Sequence, residues 1–415
     1  MAEQELIAGL DIGSTAIRLV VGQNVGDQEK IHIIGAAEVP AEGISKGIIS
    51  SIEDAVSSIS ACLERAERMV GAPIESAWVG ISGSHIISQE SRGVVAVARS
   101  DGEISEDDID RAIEAARTVA TPPNYEILHV IPKSFVVDGQ SGIKDPLGMT
   151  GVRLEVDTQI IQGLTSQVKN LTKAVYRTDI RHIEDLVLSV LATSEAVLTN
   201  RQKELGVAVI NIGGSTTSLA VFEEGDILHT AVLPVGSDHI TSDIAIGLRI
   251  PIDTAEKIKL ECGVALADGI GRRDEIDIGE LEGKESNFVS KKYIAEIIEA
   301  RVEEIFDKID SELKKIDRSG KLPAGVVLTG GGAKLNGLVE AAKTRLRLPA
   351  TISKPSIITS AIDKVNDPAF STAVGLVIWG SQLQGQRQKK GFGQLLGGIS
   401  AITGIIGSPK KWFKR

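Results

Sequence analysis

Along the chain, apolar residues switch between a two-residue and a helical period, and the switches mark the elements. LIAGLDI (6–12) and AIRLVVGQ (16–23) are short β-rich runs on either side of Gly13-Ser14-Thr15, the pattern of a hairpin. IHIIGAAEV (31–39) reads as a third strand, after which Ile52, Ala55, Val56, Ile59, Leu63 and Val70 share one helical face. SAWVGISG gives another strand ending near residue 83. Strands that precede helices, with more strands after them, predict a layered α/β domain. Between 84 and 160 the rhythm changes. VVAVARS predicts a strand, Ser105 with Asp108 forms a capping box opening a helix to about Val119, and YEILHVIP and KSFVVDG predict two strands. The Gly/Pro-rich stretch 139–151 closes what reads as a small inserted αβ subdomain. Helices near 168–178 and 192–199 return to the earlier style.

IAGLDIGSTAIRLVV laid over AVINIGGSTTSLAVF at an offset of 200 needs no gap. It matches Ile12 with Ile212, Gly13 with Gly213, Leu19 with Leu219 and Val21 with Val221, and sets Asp11 on Asn211. Gly-rich sequence can produce such a match by chance; the alternative is a pair of related domains facing each other.

Composition adds limits. The chain has 415 residues, 42% hydrophobic and 24% charged, too apolar for disorder and long enough for more than one domain. Two cysteines, Cys62 and Cys262, make neither a disulfide framework nor a zinc site and fit a reducing compartment. No basic region followed by an apolar run opens the sequence, so the cytoplasm is the expected compartment. The formal charge of −11 hides a division: residues 1–386 carry 38 basic and 56 acidic side chains, a charge of −18, whereas 387–415 carry seven basic and none acidic. Such a body repels nucleic acid, because duplex binding rests on cationic groups that displace counterions. An anionic membrane surface attracts the tail alone.

Hairpin tips of Gly, Ser and Thr let backbone N–H groups converge on an anion. Either tip alone reads equally as a tight turn; as a pair they can clasp a polyphosphate from two sides, with Asp11 placed to hold Mg²⁺ through water. VVLTGGGAKLNGL (326–338) is an apolar strand, three glycines and a helix start, a junction that lays backbone against a flat base or a phosphate. Neither G-x-x-x-x-G-K-[ST] nor G-x-G-x-x-G occurs, which removes the main support for a P-loop or a dinucleotide fold.

After Lys390 come nineteen uncharged residues and then KKWFKR. The length admits a membrane span, but six glycines with Gln394, Ser400 and Thr403 oppose one. On a helix Phe392, Leu395, Ile399, Ile402 and Ile406 form a narrow apolar stripe opposite the small polar residues, the pattern of a segment lying in the interface. Pro409 interrupts it, and Trp412 and Phe413 follow among Lys410, Lys411, Lys414 and Arg415, an interfacial anchor arrangement. A tail with no target is the other reading.

LDIGST, NIGGSTT and LTGGGAKL, in this order and spacing, resemble the two phosphate loops and the adenosine loop of the actin, Hsp70 and sugar-kinase superfamily. Within it the chain most resembles the bacterial division family FtsA. The likeness extends to residues 127–156, SVLATSEAVLT (189–199), SDIAIGLRIPIDTAEKIK (242–259), EIIEARVEEIF (296–306) and the basic, aromatic end. It implies an actin-like (ribonuclease H-like) pair of duplicated α/β domains with an inserted small subdomain. The first subdomain would comprise 1–83, 161–204 and 355–383; the insert 84–160; the second 205–245 and 313–354; and a peptide-binding subdomain 246–312. A linker and amphipathic segment (384–407) and a membrane-targeting end (408–415) complete the chain.

The resemblance also implies ATP with Mg²⁺ as ligand. Asp11, Gly13, Ser14 and Thr15 match the first phosphate loop, Gly213, Gly214, Ser215, Thr216 and Thr217 the second, and Gly330, Gly331 and Gly332 the adenosine loop. Glu256 and Lys259 match positions that contact ribose or base, although their spacing alone fits a solvated helix face. Arg301 and Lys292 match basic positions that receive the acidic C-terminal peptide of the tubulin-like protein FtsZ. Two positions depart from the family pattern, Asn211 and Ser218 standing where carboxylates are usual, so weak or absent ATPase activity is expected. The implied protein polymerises on the inner face of the cytoplasmic membrane and anchors FtsZ filaments at the septum among other division proteins. A pilus-assembly adaptor of the PilM type and a sugar kinase are the alternatives, the second lacking a convincing catalytic Asp. An Hsp70-type chaperone would need a substrate domain that residues 384–415 cannot supply.

Overall fold

A computed structural model describes residues 6–24, 31–118, 121–271, 273–282, 285–356 and 358–389. Leu6–Ile12 and Ala16–Asn24 form an antiparallel hairpin with Asp11 opposite Arg18 and Ile12 opposite Ile17. Val207–Ile212 and Thr217–Glu223 repeat it in the same register, with Asn211 opposite Ser218 and Ile212 opposite Thr217. The correspondence continues outward. A third antiparallel strand follows each hairpin, Ile31–Pro40 in one sheet and Asp226–Leu233 in the other. On the opposite side of each hairpin lie two parallel strands, Ser76–Ile81 and His182–Leu188 in the first sheet, Val326–Thr329 and Ala350–Ile352 in the second. Asp11 pairs with Gly80 where Asn211 pairs with Thr329. Ile358–Ser360 adds a sixth strand to the first sheet.

Two helices hold the halves together. Ser189–Val197 follows strand His182–Leu188 of the first sheet and also packs on Thr217–Glu223 of the second, and Ser371–Lys389 packs on Ser189–Val197 and Leu6–Ile12 while its Thr372 hydroxyl accepts from Asn211 of the second half. Ser189–Val197 and the first half of the second helix, 371–380, are apolar on nearly all sides, as Val190, Leu191 and Ala192 and Ala373, Val374, Leu376 and Val377 show, so these stretches are buried rather than amphipathic. Small residues set the spacing: a Cβ on Gly375 would meet the Ala192 carbonyl oxygen at 1.9 Å, and one on Gly9 the Ala373 carbonyl oxygen at 2.4 Å. The second helix runs on through Lys389, beyond residue 384, where the linker was expected to begin. Residues 392–415, on which the membrane expectations fall, lie outside the described residues. Among the described residues no helix is long and apolar enough to cross a membrane.

The insert is a four-stranded sheet ordered Ile86–Ala96, Arg153–Leu164, Tyr125–Val137, Gln140–Ile143, with helix Glu106–Thr118 on one face. Its distal half has its own core of Ile109, Ala112, Phe135, Leu154 and Val156. The capping box is present: Asp108 N donates to Ser105 Oγ at 3.3 Å and Ser105 N to Asp108 Oδ2 at 2.9 Å. Two expectations need correction. The strand predicted as VVAVARS begins at Ile86, because Arg153–Leu164 pairs with it from Ile86 to Ala96. The two strands predicted at 125–138 are one, since Pro132 and Ser134 pair with adjacent residues Thr158 and Asp157 and leave Lys133 as a bulge. Pro132, which reads as a break, sits where the ladder is already interrupted.

Gly375→Ala is expected to destabilise the protein by about 2 kcal/mol, since the helix crossing leaves no room for the methyl group. Gly331→Ala, whose Cβ would meet nothing within 4 Å, should change stability by less than about 0.5 kcal/mol. Urea denaturation of both variants provides the measurement.

Candidate nucleotide cleft

Each hairpin tip is closed by its own backbone, Gly13 N donating to Ala16 O at 3.2 Å and Gly213 N to Thr216 O at 2.9 Å. The first tip is held from the side, where Ser14 Oγ accepts from Gly47 N at 3.0 Å. The second tip is held from behind: the start of helix Ser237–Leu248 donates Ser237 N to Gly213 O at 2.9 Å and Asp238 N to Gly214 O at 2.8 Å. That helix N-terminus is therefore occupied by the loop's carbonyls. The tips meet across the cleft, where a Cβ on Gly214 would lie 2.3 Å from Thr15 Oγ1.

Between them lies a narrow cleft that opens to solvent. Asp11, Gly13, Ser14, Thr15, Gly213, Gly214, Ser215, Thr216, Gly330 and Gly331 line it. Gly330 adopts φ 87°, and its N–H donates to Pro368 O at 3.2 Å. The three glycines do not open an α-helix directly; they lead through a 3₁₀ turn, Gly331–Lys334, to helix Leu338–Leu346. Four other named residues stand outside the lining. Thr217 is fully buried and donates to Val235 O at 2.8 Å, and Gly332 packs against Ile212, 2.5 Å from where its Cβ would be. Lys259 is 8% exposed, so it does not occupy a solvated face; its Nζ donates to Thr241 Oγ1 at 2.8 Å and lies 2.6 Å from Glu256 Oε2.

Asp11 is the one carboxylate among the described lining residues. Burial pushes its carboxyl up to about 6, with the Arg18 guanidinium opposing the shift. Arg18 faces Glu38 at 2.7 Å and stacks 5.6 Å from the Phe370 ring centroid, so its charge is shared before any ligand arrives. Asn211 has no equivalent freedom. Its Nδ2 donates to Thr193 Oγ1 at 3.3 Å and Thr372 Oγ1 at 3.1 Å, one hydroxyl from each connecting helix, and those hydroxyls are 3.0 Å apart. Ser218 Oγ lies 3.2 Å from Ser82 Oγ, joining the two halves over the cleft. The amide at 211 and the hydroxyl at 218 thus act as fasteners, between the two helices and between the two halves.

Arg18, Ser82, Ser189 and Thr372 also line the cleft and were missed from sequence. Arg18 was legible in principle, since a loop of four residues (13–16) between the paired Ile12 and Ile17 sets it opposite Asp11. Ser189 and Thr372 carry no local signal, because their positions follow from the crossing of helices far apart in the chain. In the 246–312 region, Arg301 is chelated by Asp243 (2.5 and 2.9 Å) and also bonds Glu304, tying helix Lys291–Lys315 to Ser237–Leu248. Lys292 is half-buried beside exposed Tyr293, and Ile246, 75% exposed, lies next to Gly247, whose Cβ would be 3.9 Å from the Tyr293 hydroxyl.

The same fold occurs in the PilM–PilN type IV pilus biogenesis complex, with TM-score 0.66, 17% identity and coverage of 91% of this chain and 99% of that one. It occurs again in MreB5 of Spiroplasma citri bound to ADP, with TM-score 0.52, 14% identity and coverage of 93% and 98%. Duplicated sheets joined by crossing helices, with loops facing over a cleft, define an actin-like protein. Residues 208–375 match the family model of cell division protein FtsA, and 83–162 match the SHS2 domain inserted in FtsA. FtsA of Pseudomonas aeruginosa is 38% identical over 92% of this chain and 90% of its own length. FtsA of Bacillus subtilis is 40% identical over 91% and 84%, and that of Escherichia coli K12 32% identical over 100% and 97%. The chain belongs to the FtsA family of cell division proteins.

Because the carboxyl of Asp11 titrates near 6 in the fold against 3.8 ordinarily, the native state retains a proton that the unfolded chain releases. Stability attributable to this group therefore falls as pH rises between those values. Asp11→Asn should be more stable than the parent at about pH 7.5, and the advantage should shrink toward about pH 4.5. Urea denaturation across that range tests the sign.

Proposed function

We propose that the chain is an ATP-binding division protein that assembles into filaments on the cytoplasmic face of the membrane and tethers FtsZ filaments at the septum. The observation that carries the nucleotide part is the pair of register-matched hairpin tips facing one cleft with a single carboxylate between them. Backbone amides of Ser14, Thr15 and Gly214 to Thr216, with the hydroxyls of Ser14, Thr15 and Thr216, suit phosphate oxygens, while Gly13 and Gly213 close the turns through their own N–H groups; Gly330 and Gly331 suit the adenosine. Asp11 fits a Mg²⁺ ion that arrives with the nucleotide, since that ion keeps most of its waters and needs one or two protein carboxylates. When bound, the ion neutralises phosphate charge; Asp11 must lose its proton to face it, which weakens binding as pH falls below about 6. Thr217, Gly332, Glu256 and Lys259 support the site at one remove in this reading, through the packing and hydrogen bonds around the second loop.

Asn211 and Ser218 supply no base, so hydrolysis is slow or absent and the nucleotide acts by setting closure. The 246–312 region receives the C-terminal peptide of FtsZ. Lys292 offers a charge, Ile246 and Tyr293 offer apolar surface beside it, and Arg301 acts by holding the two helices of this face together. The tail (Phe392, Leu395, Ile399, Ile402 and Ile406 with Lys410, Lys411, Trp412, Phe413, Lys414 and Arg415) anchors the chain to anionic lipid, each basic residue adding about 1 kcal/mol near the surface. Polymerisation multiplies this modest affinity through avidity. A pilus-assembly adaptor shares the fold at 17% identity, whereas the inserted subdomain matches the FtsA type.

Electron microscopy on lipid monolayers with ATP tests the whole reading. Lipid-bound filaments are expected from the full chain and none from residues 1–386; filaments on lipid without the tail would refute the anchor. Arg301→Glu should weaken binding of the FtsZ tail peptide by at least about tenfold in fluorescence anisotropy, as loss of a partly buried charge pair does. Unchanged affinity would remove the 246–312 region from the peptide site.

A further inference from the structure

Among the described residues, the insert's charged contact with the second half is made by Lys144. The insert's base is rooted on the first half, with Ile86, Leu128, Ile131 and Ile161 in a core that also takes in Val207, Ala220 and Phe222 of the second, and His129 Nε2 accepting from Leu188 N at 2.9 Å on the edge strand. Its far edge, just after strand Gln140–Ile143, presents Lys144 to the turn of the second half's next hairpin. Lys144 Nζ donates to the Glu224 carbonyl oxygen and lies 3.5 Å from Asp226 and 3.9 Å from the Glu224 carboxylate. The receiving turn is rigid. Glu224 and Gly225 occupy the left-handed region, and their N–H groups donate to Glu204 O at 3.0 Å and Lys203 O at 3.1 Å. Arg318 chelates the preceding Glu223 at 2.6 to 3.1 Å.

A strut fixed at both ends and spanning two bodies resists their relative motion. We infer that Lys144 is an external brace that opposes opening of the cleft, so that the insert regulates how readily the cleft admits and releases its ligand. The part concerning ligand rests on the nucleotide reading; the part concerning opening does not. The brace acts on the outside of the molecule while Ser82 and Ser218 join across the cleft itself. Lys144 is 39% and Asp226 20% exposed at the side chain, so the pair is only partly screened.

The first measurement needs no nucleotide. Spin labels at Lys173→Cys and Lys343→Cys, one exposed site on each half, in a Cys262→Ser background, report the distance between the halves by double electron–electron resonance. Lys144→Ala should broaden the distribution toward longer distances, and Lys144→Arg, which keeps the charge and the donors, should hold it at the parent's width. An unchanged distribution in Lys144→Ala overturns the brace. The second measurement is release of a fluorescent ATP analogue, expected to quicken about fivefold in Lys144→Ala, the scale of one half-exposed ion pair. Broadening with unchanged release would overturn the regulatory part. Absence of analogue binding to the parent protein would overturn the nucleotide reading and the regulatory part with it, leaving the brace to stand on the distance measurement.

Discussion

The close crossing of helices Ser189–Val197 and Ser371–Lys389 is the constraint on which the rest depends. Both helices pack on the first half, and the first of them also packs on strands Val207–Ile212 and Thr217–Glu223 of the second, so the pair forms the seam between the halves. Gly375 against the Ala192 carbonyl and Gly9 against the Ala373 carbonyl fix how near the helices and strands come. That distance in turn places Thr193 beside Thr372 and lets one Asn211 amide reach both. The hairpin tips face each other because the helices cross where they do.

Duplication explains why a cleft forms at all. Two copies of one hairpin brought face to face create two sets of small-residue turns with a gap between them, and the gap takes its polarity from the turns. The copies have diverged where their roles differ. Asp11 keeps a carboxylate that burial makes reluctant to ionise, whereas Asn211 has become a fastener between helices. The insert departs from the duplication and lends the first half a reach that the second lacks.

Much of this was legible in the sequence. The offset of 200 residues located both hairpins, and their strands begin and end close to where the alternation does, because in each a loop of four residues between the last paired positions (12 with 17, 212 with 217) fixes register locally. The capping box at Ser105 and the helix at 52–70 were equally local, the latter closed by Ser51 at one end and Gly71 at φ 75° at the other. What stayed hidden depends on distant partners. The strand through Pro132 is held by Arg153–Leu164, the burial of Lys259 by Thr241 and Glu256, and the engagement of Arg301 by Asp243, none of which periodicity within a segment can reveal. Thr217 turned inward for a related reason: on a strand whose register is set by the tip, alternate side chains face the core.

The bonds that span the halves inside the cleft are made by hydroxyls and one amide. Neutral groups carry no ion atmosphere, so added salt does little to the Ser82–Ser218 and Asn211–Thr193–Thr372 contacts. The ammonium–carboxylate contact at Lys144, lying partly in solvent, weakens as ions accumulate around it. Ionic strength therefore acts unequally on the two sides of the molecule, loosening the rim while the hinge keeps its hold.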